Sequence, residues 1–193
     1  MSFGVQKFSQ ALQIDYYNDC IFYIVEKDFT AETGDPNGTR TGGNSIYKLI
    51  NVGDRFFDDE IHRDLNHTKA GTVAMVNHGE NLNASEFYIT LSDELNMLDG
   101  KHTVFGEVVE GFDTLTVINT VEVDEDCKAV RDGIKIIYTM KTHSKTYSTS
   151  VKKMEKEIAY LVENIEEQCS IKECDMTLAH RNQWNLILDK EII

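Results

Sequence analysis

The sequence predicts a mainly β protein, an antiparallel barrel or sandwich with flanking helices, followed by a helical tail. Short apolar, β-branched and aromatic runs separated by turn residues fill the chain up to about Thr142. Such runs, with few helical patterns between them, are typical of all-β barrels and sandwiches. Beyond a Ser-, Thr- and Lys-rich patch at Thr142–Ser150, apolar residues recur at helical spacing. The composition therefore changes once, and the change separates the two parts.

Each predicted strand is a run with the length and residue types of a β-strand. The strands are predicted at Ile21–Glu26, Thr72–Asn77, Glu86–Leu91, Thr103–Val108 and Ile134–Thr139. Two short helices are predicted beside them, one ending near Ile14 and one around Asp113–Thr120. Turn-rich connections are predicted at Gly34–Asn44 and Asn77–Ser85, where Gly, Asn, Asp and Ser cluster.

The strand predicted at Glu86–Leu91 alternates clearly between two kinds of side chain. One face carries Phe87, Ile89 and Leu91. Tyr88 lies on the opposite face, between Glu86 and Thr90. Three apolar side chains on one face belong in a core. The opposite face, with an aromatic ring between a carboxylate and a hydroxyl, indicates a groove.

The tail begins with a stripe of apolar residues at three- and four-residue steps, which predicts an amphipathic helix. The stripe consists of Val151, Met154, Ile158, Leu161, Val162 and Ile165. A second helix is predicted around Thr177–Leu188. We therefore expect a folded domain over residues 1–140, a linker over 141–150 and a helical tail over 151–193. The sequence leaves open whether the tail helices contact the barrel, each other or another chain.

Length, charge and apolar patterning limit the classes of protein to which the chain can belong. The chain has 193 residues, 41% of them hydrophobic, which suffices for a sizeable core. With a formal net charge of −14, direct nucleic-acid binding is not expected, because phosphates are bound chiefly through Lys and Arg. No apolar run approaches the roughly 20 residues of a membrane span, and the first residues do not resemble a secretory signal. We expect an intracellular protein, nuclear or cytoplasmic, whose four cysteines are ordinary thiols.

No motif in the sequence predicts a cofactor or a metal. The glycine-rich segment Gly34–Gly43 is not followed by the Gly-Lys-Ser/Thr of a phosphate-binding loop. Asp58–Glu60 with His62 and His67 contains metal-ligand residue types, but adjacent acids on an acidic protein are usually solvated. Nucleophilic hydrolysis has no support either, because no Gly-x-Ser-x-Gly motif is present.

The most specific signal is a set of segments in a fixed order. They are Asp28–Pro36, Thr41–Tyr47, Phe57–Glu60, His67–Asn77, Asn83–Thr90 and Leu98–Gly106. Together they resemble the cyclophilin family of peptidyl-prolyl cis–trans isomerases, from about Phe8 to Thr139. Within that family they are most similar to the nuclear isomerase-like branch that carries a separate RNA-recognition domain.

The resemblance implies a cyclophilin-like antiparallel β-barrel that binds proline-containing peptides without a cofactor. It implies a proline pocket lined by Phe29, Met75, Tyr88 and Leu98, with His102 as one wall. It also implies backbone hydrogen bonds from Asn77 to the peptide. The remaining residues of the implied peptide-binding set are Glu32, Val76, His78, Glu86 and Met97.

Several positions depart from the family's pattern, and they affect the expected activity. Ile24 stands where the family has its catalytic arginine, and isoleucine donates no hydrogen bond to a twisting amide. Glu32 and Glu86 stand where the family usually has glutamine, so an N–H donor is lost at each. Met97 lies near the usual tryptophan, and His78 replaces a smaller residue. We therefore expect an isomerase with weak or absent turnover. The alternative is a non-catalytic proline-peptide binding module or scaffold in a nuclear RNA-processing assembly.

A second departure concerns the start of the chain. Phe8–Leu12 and Tyr16–Asn18 resemble the end of the family's first helix, which two barrel strands normally precede. Either the tail helices fill this gap, or the chain is a fragment of a longer product without independent function. We favour the fragment, because helices cannot supply ladder hydrogen bonds to open strand edges.

Overall fold

The computed structural model of the chain contains one antiparallel sheet and describes residues 3–128, 134–137, 139 and 187–189. Its strands are β1 Ile24–Val25, β2 Thr30–Thr33, β3 Thr72–Asn77, β4 Asn83–Thr90, β5 Val104–Glu110 and β6 Ile187–Asp189. The helices are α1 Phe3–Gln13, α2 Ile46–Leu49 and α3 Phe112–Asn119, with a short 3-10 helix at Asn96–Leu98. The strand order is β1-β2-β4-β3-β5-β6, and all neighbours are antiparallel. The predicted mainly β antiparallel fold is confirmed.

The register between β3 and β4 decides which side chains face the core. Val73 pairs with Ile89, and one step along the strands Ala74 pairs with Tyr88. Because successive residues point to opposite faces of a sheet, these two pairs lie on opposite sides. Val73, Ile89 and Phe87 belong to the main hydrophobic core, whereas Ala74 and Tyr88 belong to a second, smaller cluster. The apolar face predicted for β4 is thus the core face.

Helix α1 covers the main core with an apolar face. Phe8 and Leu12 are buried in that core. The ring of Phe8 lies 5.2 Å from the ring of Phe87 and 5.0 Å from that of Phe105, measured between centroids. Aromatic contacts at this separation add to the free energy gained by burying the rings. The helix ends at Gln13, which confirms the predicted end near residue 14.

The loop after β2 is organised around the buried carboxylate of Asp35. Its two oxygens accept hydrogen bonds from the backbone N–H groups of Asn37, Thr39 and Gly42, at 2.9, 2.9 and 3.0 Å. A longer bond of 3.4 Å comes from the N–H of Gly43. A Cβ on Gly42 would lie 1.8 Å from Oδ1 of Asp35, so this approach requires glycine. The predicted turn-rich loop is therefore a fixed structure around one side chain.

The predicted strand positions agree with β1, β3, β4 and β5, with shifts at the ends. Strand β2 was not predicted, because Thr30–Thr33 contains no large apolar side chain. It forms a strand because it pairs with β1 on one side and β4 on the other. The prediction at Ile134–Thr139 is replaced by an isolated bridge between Ile21 and Lys135 in the described residues. The helix predicted at Asp113–Thr120 is confirmed as α3.

The prediction of a second tail helix around Thr177–Leu188 is wrong at its C-terminal end, because Ile187–Asp189 forms strand β6. Strand β6 pairs with β5, with Leu188 opposite Val108. An open strand edge presents backbone N–H and C=O groups, and another strand satisfies them whereas a helix does not. The first tail helix and the linker at 141–150 lie outside the described residues.

In the described part of the chain, no helix is both long and apolar enough to cross a bilayer. Cys20 and Cys127 are free thiols. Burial raises the pKa of the Cys20 thiol to about 11, so this residue is a poor nucleophile. Cys169 and Cys174 lie outside the described residues.

We predict that Asp35→Ala lowers the free energy of unfolding by at least about 2 kcal/mol, because several buried N–H groups lose their acceptor together. Urea unfolding measures this change. Asp64→Ala is the matched control, since the Asp64 side chain is 89% exposed, and we expect a change within about 0.5 kcal/mol. Equal effects of the two substitutions would contradict the role assigned to Asp35.

The stabilisation by Asp35 depends on pH. Burial alone would raise the pKa of Asp35, but the hydrogen bonds from Asn37, Gly42 and Thr39 hold it below the usual range. A depressed carboxyl pKa stabilises the fold above the unfolded-state pKa, about 3.9, and this stabilisation is lost as pH falls through the folded-state pKa. The difference in unfolding free energy between the native chain and Asp35→Asn should therefore shrink below about pH 4. A difference that is constant with pH would contradict this.

Candidate functional site

A row of paired side chains crosses the sheet on the side opposite the main core. Ile24 of β1 pairs with Glu32 of β2, Glu32 pairs with Tyr88 of β4, and Tyr88 pairs with Ala74 of β3. Ala74 in turn pairs with Val104 of β5. Cross-strand partners lie on one face and contact each other. We call the side of the sheet that carries this row the groove face.

The centre of the groove face is apolar. Ala74, Tyr88 and Val104 form a buried cluster. The partly buried residues packed against that cluster are Leu65, Val76 and Leu98. Because Tyr88 itself is only 3% exposed, the accessible apolar surface here belongs to Leu65, Val76 and Leu98. The sheet thus supplies an apolar patch with an aromatic ring beneath it.

A chain of hydrogen bonds fixes the Tyr88 ring from below. The hydroxyl of Tyr88 lies 2.8 Å from Nε2 of His67, a residue with 0% exposure. The Nδ1 of His67 lies 2.8 Å from Oδ1 of Asp99, which also accepts the backbone N–H of His67 at 2.8 Å. Nδ1–H therefore donates to the carboxylate, and Nε2 accepts from the tyrosine. Although burial alone would raise it, these bonds hold the pKa of Asp99 below its usual range.

His102 stands beside the Tyr88 ring as a wall of the groove. The two rings meet edge to face, with centroids 5.4 Å apart and planes at 84°. Nδ1 of His102 lies 3.1 Å from the carbonyl oxygen of Met75 and therefore carries the proton. Burial lowers the pKa of His102, which favours the neutral ring. The side chain of Asn77 donates to the carbonyl of Lys101 at 2.8 Å, which ties the end of β3 to this wall.

The carboxylate of Glu86 is buried, with both oxygens engaged. The Tyr23 hydroxyl donates to Oε2 at 2.7 Å, and Nε2 of His78 lies 3.0 Å from Oε1. Glu86 is 1% exposed, whereas 31% of the His78 side chain is exposed. Burial, followed by the charge of Glu86, raises the pKa of Tyr23 and keeps its hydroxyl protonated. Glu86 is therefore a structural acceptor rather than a free charge for a ligand.

The carboxylate of Glu32, in the middle of the paired row, makes no hydrogen bond to any residue the structure describes, whereas the backbone carbonyl of Glu32 accepts from the N–H of Tyr23. Burial raises the pKa of its carboxyl group, and the strongest opposing influence is the positive charge of Arg40. Glu86 and Glu26 raise the pKa further, and His78 lowers it less than Arg40 does. Glu32 is thus a half-buried acid whose carboxyl pKa is raised chiefly by burial.

Some residues of the implied site lie elsewhere. The Met75 side chain belongs to the main core, because Met75 pairs with Phe87 on the core side of the register. Only its carbonyl takes part, by accepting from His102. Phe29 lies in the turn between β1 and β2, where its N–H donates to the Glu26 carbonyl, and it is not part of the groove cluster. Met97 is 57% exposed on the 3-10 helix.

Three residues that shape the site were missed as such: Tyr23, His67 and Asp99. In the sequence, His67 appeared as a potential metal ligand and at the start of one family-like segment, without a role in the site. The signal that was available is the alternation of β4, which places the Tyr88 hydroxyl on a buried face where it requires a partner. Which partner it finds depends on loops far apart in sequence, so local patterns do not identify it.

A polar cleft of about 450 Å³ lies between the loop around Asp35 and Arg55. It is lined by Tyr16, Pro36, Asn37, Thr41, Gly42, Gly43, Asn44 and Arg55. The Arg55 guanidinium donates to the carbonyls of Thr41, Gly42 and Gly43. It therefore holds the loop through Nε and Nη2.

Comparison with known proteins gives a consistent result. Residues 3–141 match the family model described as cyclophilin type peptidyl-prolyl cis-trans isomerase/CLD. The chain is 62% identical over 121 residues to peptidyl-prolyl cis-trans isomerase CYP59 of Arabidopsis thaliana. It is 44% identical over 135 residues to peptidyl-prolyl cis-trans isomerase-like 4 of Homo sapiens.

The matches to these two relatives cover 62% and 69% of the chain but only 24% and 27% of the relatives. The chain therefore spans about a quarter of the length of these relatives. A crystal structure of a Cryptosporidium parvum cyclophilin type isomerase, determined in the presence of the dipeptide Ala-Pro, is 32% identical. It superposes with a TM-score of 0.66 and covers 72% of this chain and 85% of its own.

We predict that Tyr88→Phe, which keeps the ring, lowers the free energy of unfolding by about 1–3 kcal/mol, because buried Nε2 of His67 loses its donor. Urea unfolding measures this change. Tyr47→Phe is the matched control, since the Tyr47 hydroxyl makes no hydrogen bond within the described residues, and its effect should stay within about 0.5 kcal/mol. If both substitutions have the same effect, the hydrogen bond between Tyr88 and His67 does not stabilise the fold.

Proposed function

The chain belongs to the cyclophilin-type peptidyl-prolyl cis-trans isomerase family, and from this premise we propose that its groove face binds proline-containing peptides and isomerises X–Pro bonds with low turnover. The observation that supports this most strongly is the apolar cluster of Ala74, Tyr88 and Val104, with His102 against the Tyr88 ring. It lies on one face of the sheet, within the residues that match the family.

The reaction requires no covalent chemistry from the protein. Rotation about an X–Pro bond crosses a barrier of about 18–20 kcal/mol, and no bond is made or broken. A catalyst must hold the proline ring and bind the twisted amide better than either planar isomer. In the twisted state the amide nitrogen regains its lone pair, so a positioned hydrogen-bond donor stabilises it.

The groove face is suited to the first of these tasks. Val76 and Leu98 offer apolar surface to a pyrrolidine ring, with the edge-to-face pair of Tyr88 and His102 beside them. The backbone of Asn77, at the end of β3, is proposed to hydrogen-bond the peptide. Glu32, His78, Glu86 and Met97 would then border the groove rather than grip the proline.

For the second task the groove face is poorly equipped. Ile24 is 7% exposed and pairs with Glu32, so the position implied for the arginine carries a buried hydrocarbon. Removing one preorganised donor of this kind typically costs about 10²–10³ in rate. We therefore propose that the missing donor at Ile24 lowers the turnover, while the groove face still binds the peptide.

The second candidate is a non-catalytic binding module, favoured by the same absence of a donor at Ile24. It would act as a scaffold for proline-containing segments in a nuclear RNA-processing assembly. In this proposal residues 1–140 are the binding domain, 141–150 a linker and the tail a contact for another chain. The similarity to peptidyl-prolyl cis-trans isomerase-like 4 of Homo sapiens supports the assignment to the isomerase-like branch of the family. It does not support the proposed RNA-processing assembly.

We predict that Ile24→Arg raises kcat/KM for a proline peptide by about 10-fold to 100-fold, because a guanidinium then faces the twisted amide. Glu32, its cross-strand partner, compensates the added charge. A protease-coupled isomerisation assay measures the turnover, and isothermal titration of the same peptide measures binding. Ile24→Met, which keeps the bulk without a donor, is the matched control and should give no gain.

The two candidates differ in the native chain. Slow turnover with measurable binding supports the isomerase, and binding without any turnover supports the module. A native chain that turns over as fast as Ile24→Arg would contradict the role given to Ile24. A folded chain that binds no proline peptide would contradict both candidates.

A further inference from the structure

The polar cleft is separate from the groove face, because none of its lining residues belongs to the apolar cluster there. Its volume of about 450 Å³ lies within the usual range for small-ligand sites, about 300–1,000 Å³. The polar side chains of its wall include those of Asn37, Thr41 and Asn44. Arg55 is the only charged residue that the described part of the chain contributes to this wall. The cleft therefore combines uncharged hydrogen-bonding groups with one positive charge.

The Arg55 guanidinium is held in one position before any ligand binds. Its Nε donates to the carbonyl of Gly43 at 3.0 Å, and its Nη2 donates to the carbonyls of Thr41 and Gly42. The guanidinium carbon also lies 4.8 Å from the centroid of the Phe56 ring, which is a cation–π contact. A side chain fixed in this way loses little conformational entropy when it binds a ligand.

Two N–H donors of Arg55 remain unused within the described residues. A guanidinium has one N–H on Nε and two on each Nη. The donors on Nε and Nη2 are taken by the loop carbonyls, whereas Nη1 makes no hydrogen bond to a described residue. Nor does Arg55 form an ion pair with any acid in that part of the chain. Arg55 thus offers a permanent charge and a free pair of donors.

Two buried acids adjoin the loop, and both are already satisfied. Asp35 accepts the N–H groups of its own loop at 2.9–3.4 Å. Glu86 accepts from the hydroxyl of Tyr23 and lies 3.0 Å from Nε2 of His78. The charge of each carboxylate is offset by donors that point at it, so neither is the counter-ion of Arg55. An anion from outside the chain can take that place.

The donors left in the cleft suit a tetrahedral anion better than a planar one. A carboxylate is bound best by two parallel N–H groups on neighbouring nitrogens of a guanidinium, and that arrangement is lost here because Nη2 is engaged. Nη1 can still bind one part of an anion, while the amide side chains of Asn37 and Asn44 approach from other parts of the wall. A phosphate group carries three strong acceptor oxygens that point in different directions.

We propose that the polar cleft binds the phosphate group of a phosphomonoester, with Nη1 of Arg55 as the charged donor. A cleft of about 450 Å³ holds more than a phosphate group, so it has room for the part of the ligand that carries the phosphate. This binding site does not depend on the proposed function, because it uses no residue of the groove face.

The test uses the full chain and two substitutions at Thr41. Thr41 is exposed, and it holds Arg55 through its backbone carbonyl, which a change of side chain leaves in place. Thr41→Glu adds a carboxylate that competes with the ligand for Arg55, and Thr41→Gln is the matched uncharged control. Arg55→Gln removes the charged donor, and Arg63→Gln removes an exposed positive charge that does not line the cleft.

Binding of N-acetyl-phosphoserine amide, N-acetylserine amide, inorganic phosphate and acetate is followed by amide chemical shifts at constant ionic strength. We expect the phosphoserine probe to bind saturably and to shift Asn37, Thr41 and Asn44, at least about tenfold more tightly than acetate. Thr41→Glu and Arg55→Gln should each weaken this binding by about tenfold or more, whereas Thr41→Gln and Arg63→Gln should change it by less than about threefold.

A folded native chain that does not bind the phosphoserine probe saturably would overturn the inference. Equal affinities of Thr41→Glu and Thr41→Gln would do the same, as would equal binding of the probes with and without phosphate. Binding of inorganic phosphate alone would overturn the phosphomonoester. Thermal unfolding shows which variants remain folded, and if Arg55→Gln does not, the Thr41 pair decides because Arg55 is intact in both. A chain that binds the phosphoserine probe but no proline peptide would contradict the proposed function only.

Discussion

The antiparallel register of β3 against β4 is the constraint on which the rest of the structure depends. With Val73 opposite Ile89, one face of the sheet packs against Phe8 of α1 and forms the main core. With Ala74 opposite Tyr88, the other face becomes the groove face. A shift of one residue would exchange the two faces and place Glu86 and Tyr88 in the hydrophobic core. Core formation and site formation are therefore specified by the same pairing.

The groove face differs from an ordinary apolar pocket in the number of polar tethers beneath it. Tyr88, Glu86 and the Met75 carbonyl are bound to His67, to Tyr23 and to His102. Each of these hydrogen bonds satisfies a buried polar group. Without its partner, that group would be buried and unpaired, which costs free energy. The Glu32 carboxylate differs because it is half-buried and makes no such bond among the described residues. The site therefore combines a rigid platform with one half-buried acid that lacks such a tether among the described residues.

Much of the fold was predictable from local patterns, and the residues show where such patterns fail. Alternation in Glu86–Leu91 identified the core face of β4, because apolar side chains recur at every second position. Strand β2 escaped prediction because Thr30–Thr33 has no apolar pattern and is a strand only by pairing with its neighbours. Strand β6 was taken for the end of a helix because its apolar residues continue those of the predicted tail helix, whereas pairing with β5 makes it a strand.

The comparisons confirm the family that the resemblance indicated, and the site within it stays a prediction. The resemblance did not decide the direction of each side chain. Met75 belongs to the core by strand parity, and the tether from Tyr88 to His67 joins residues 21 positions apart.

The central claim is that proline binds on the groove face, over Tyr88 and against His102. Amide chemical-shift mapping of the full chain, titrated with an Ala-Pro peptide and with its Ala-Ala counterpart, tests this directly. We expect the proline peptide alone to shift the resonances of Val76, Asn77, Leu98 and His102. Shifts confined to the polar cleft at Tyr16 and Arg55, or identical shifts with both peptides, would contradict it.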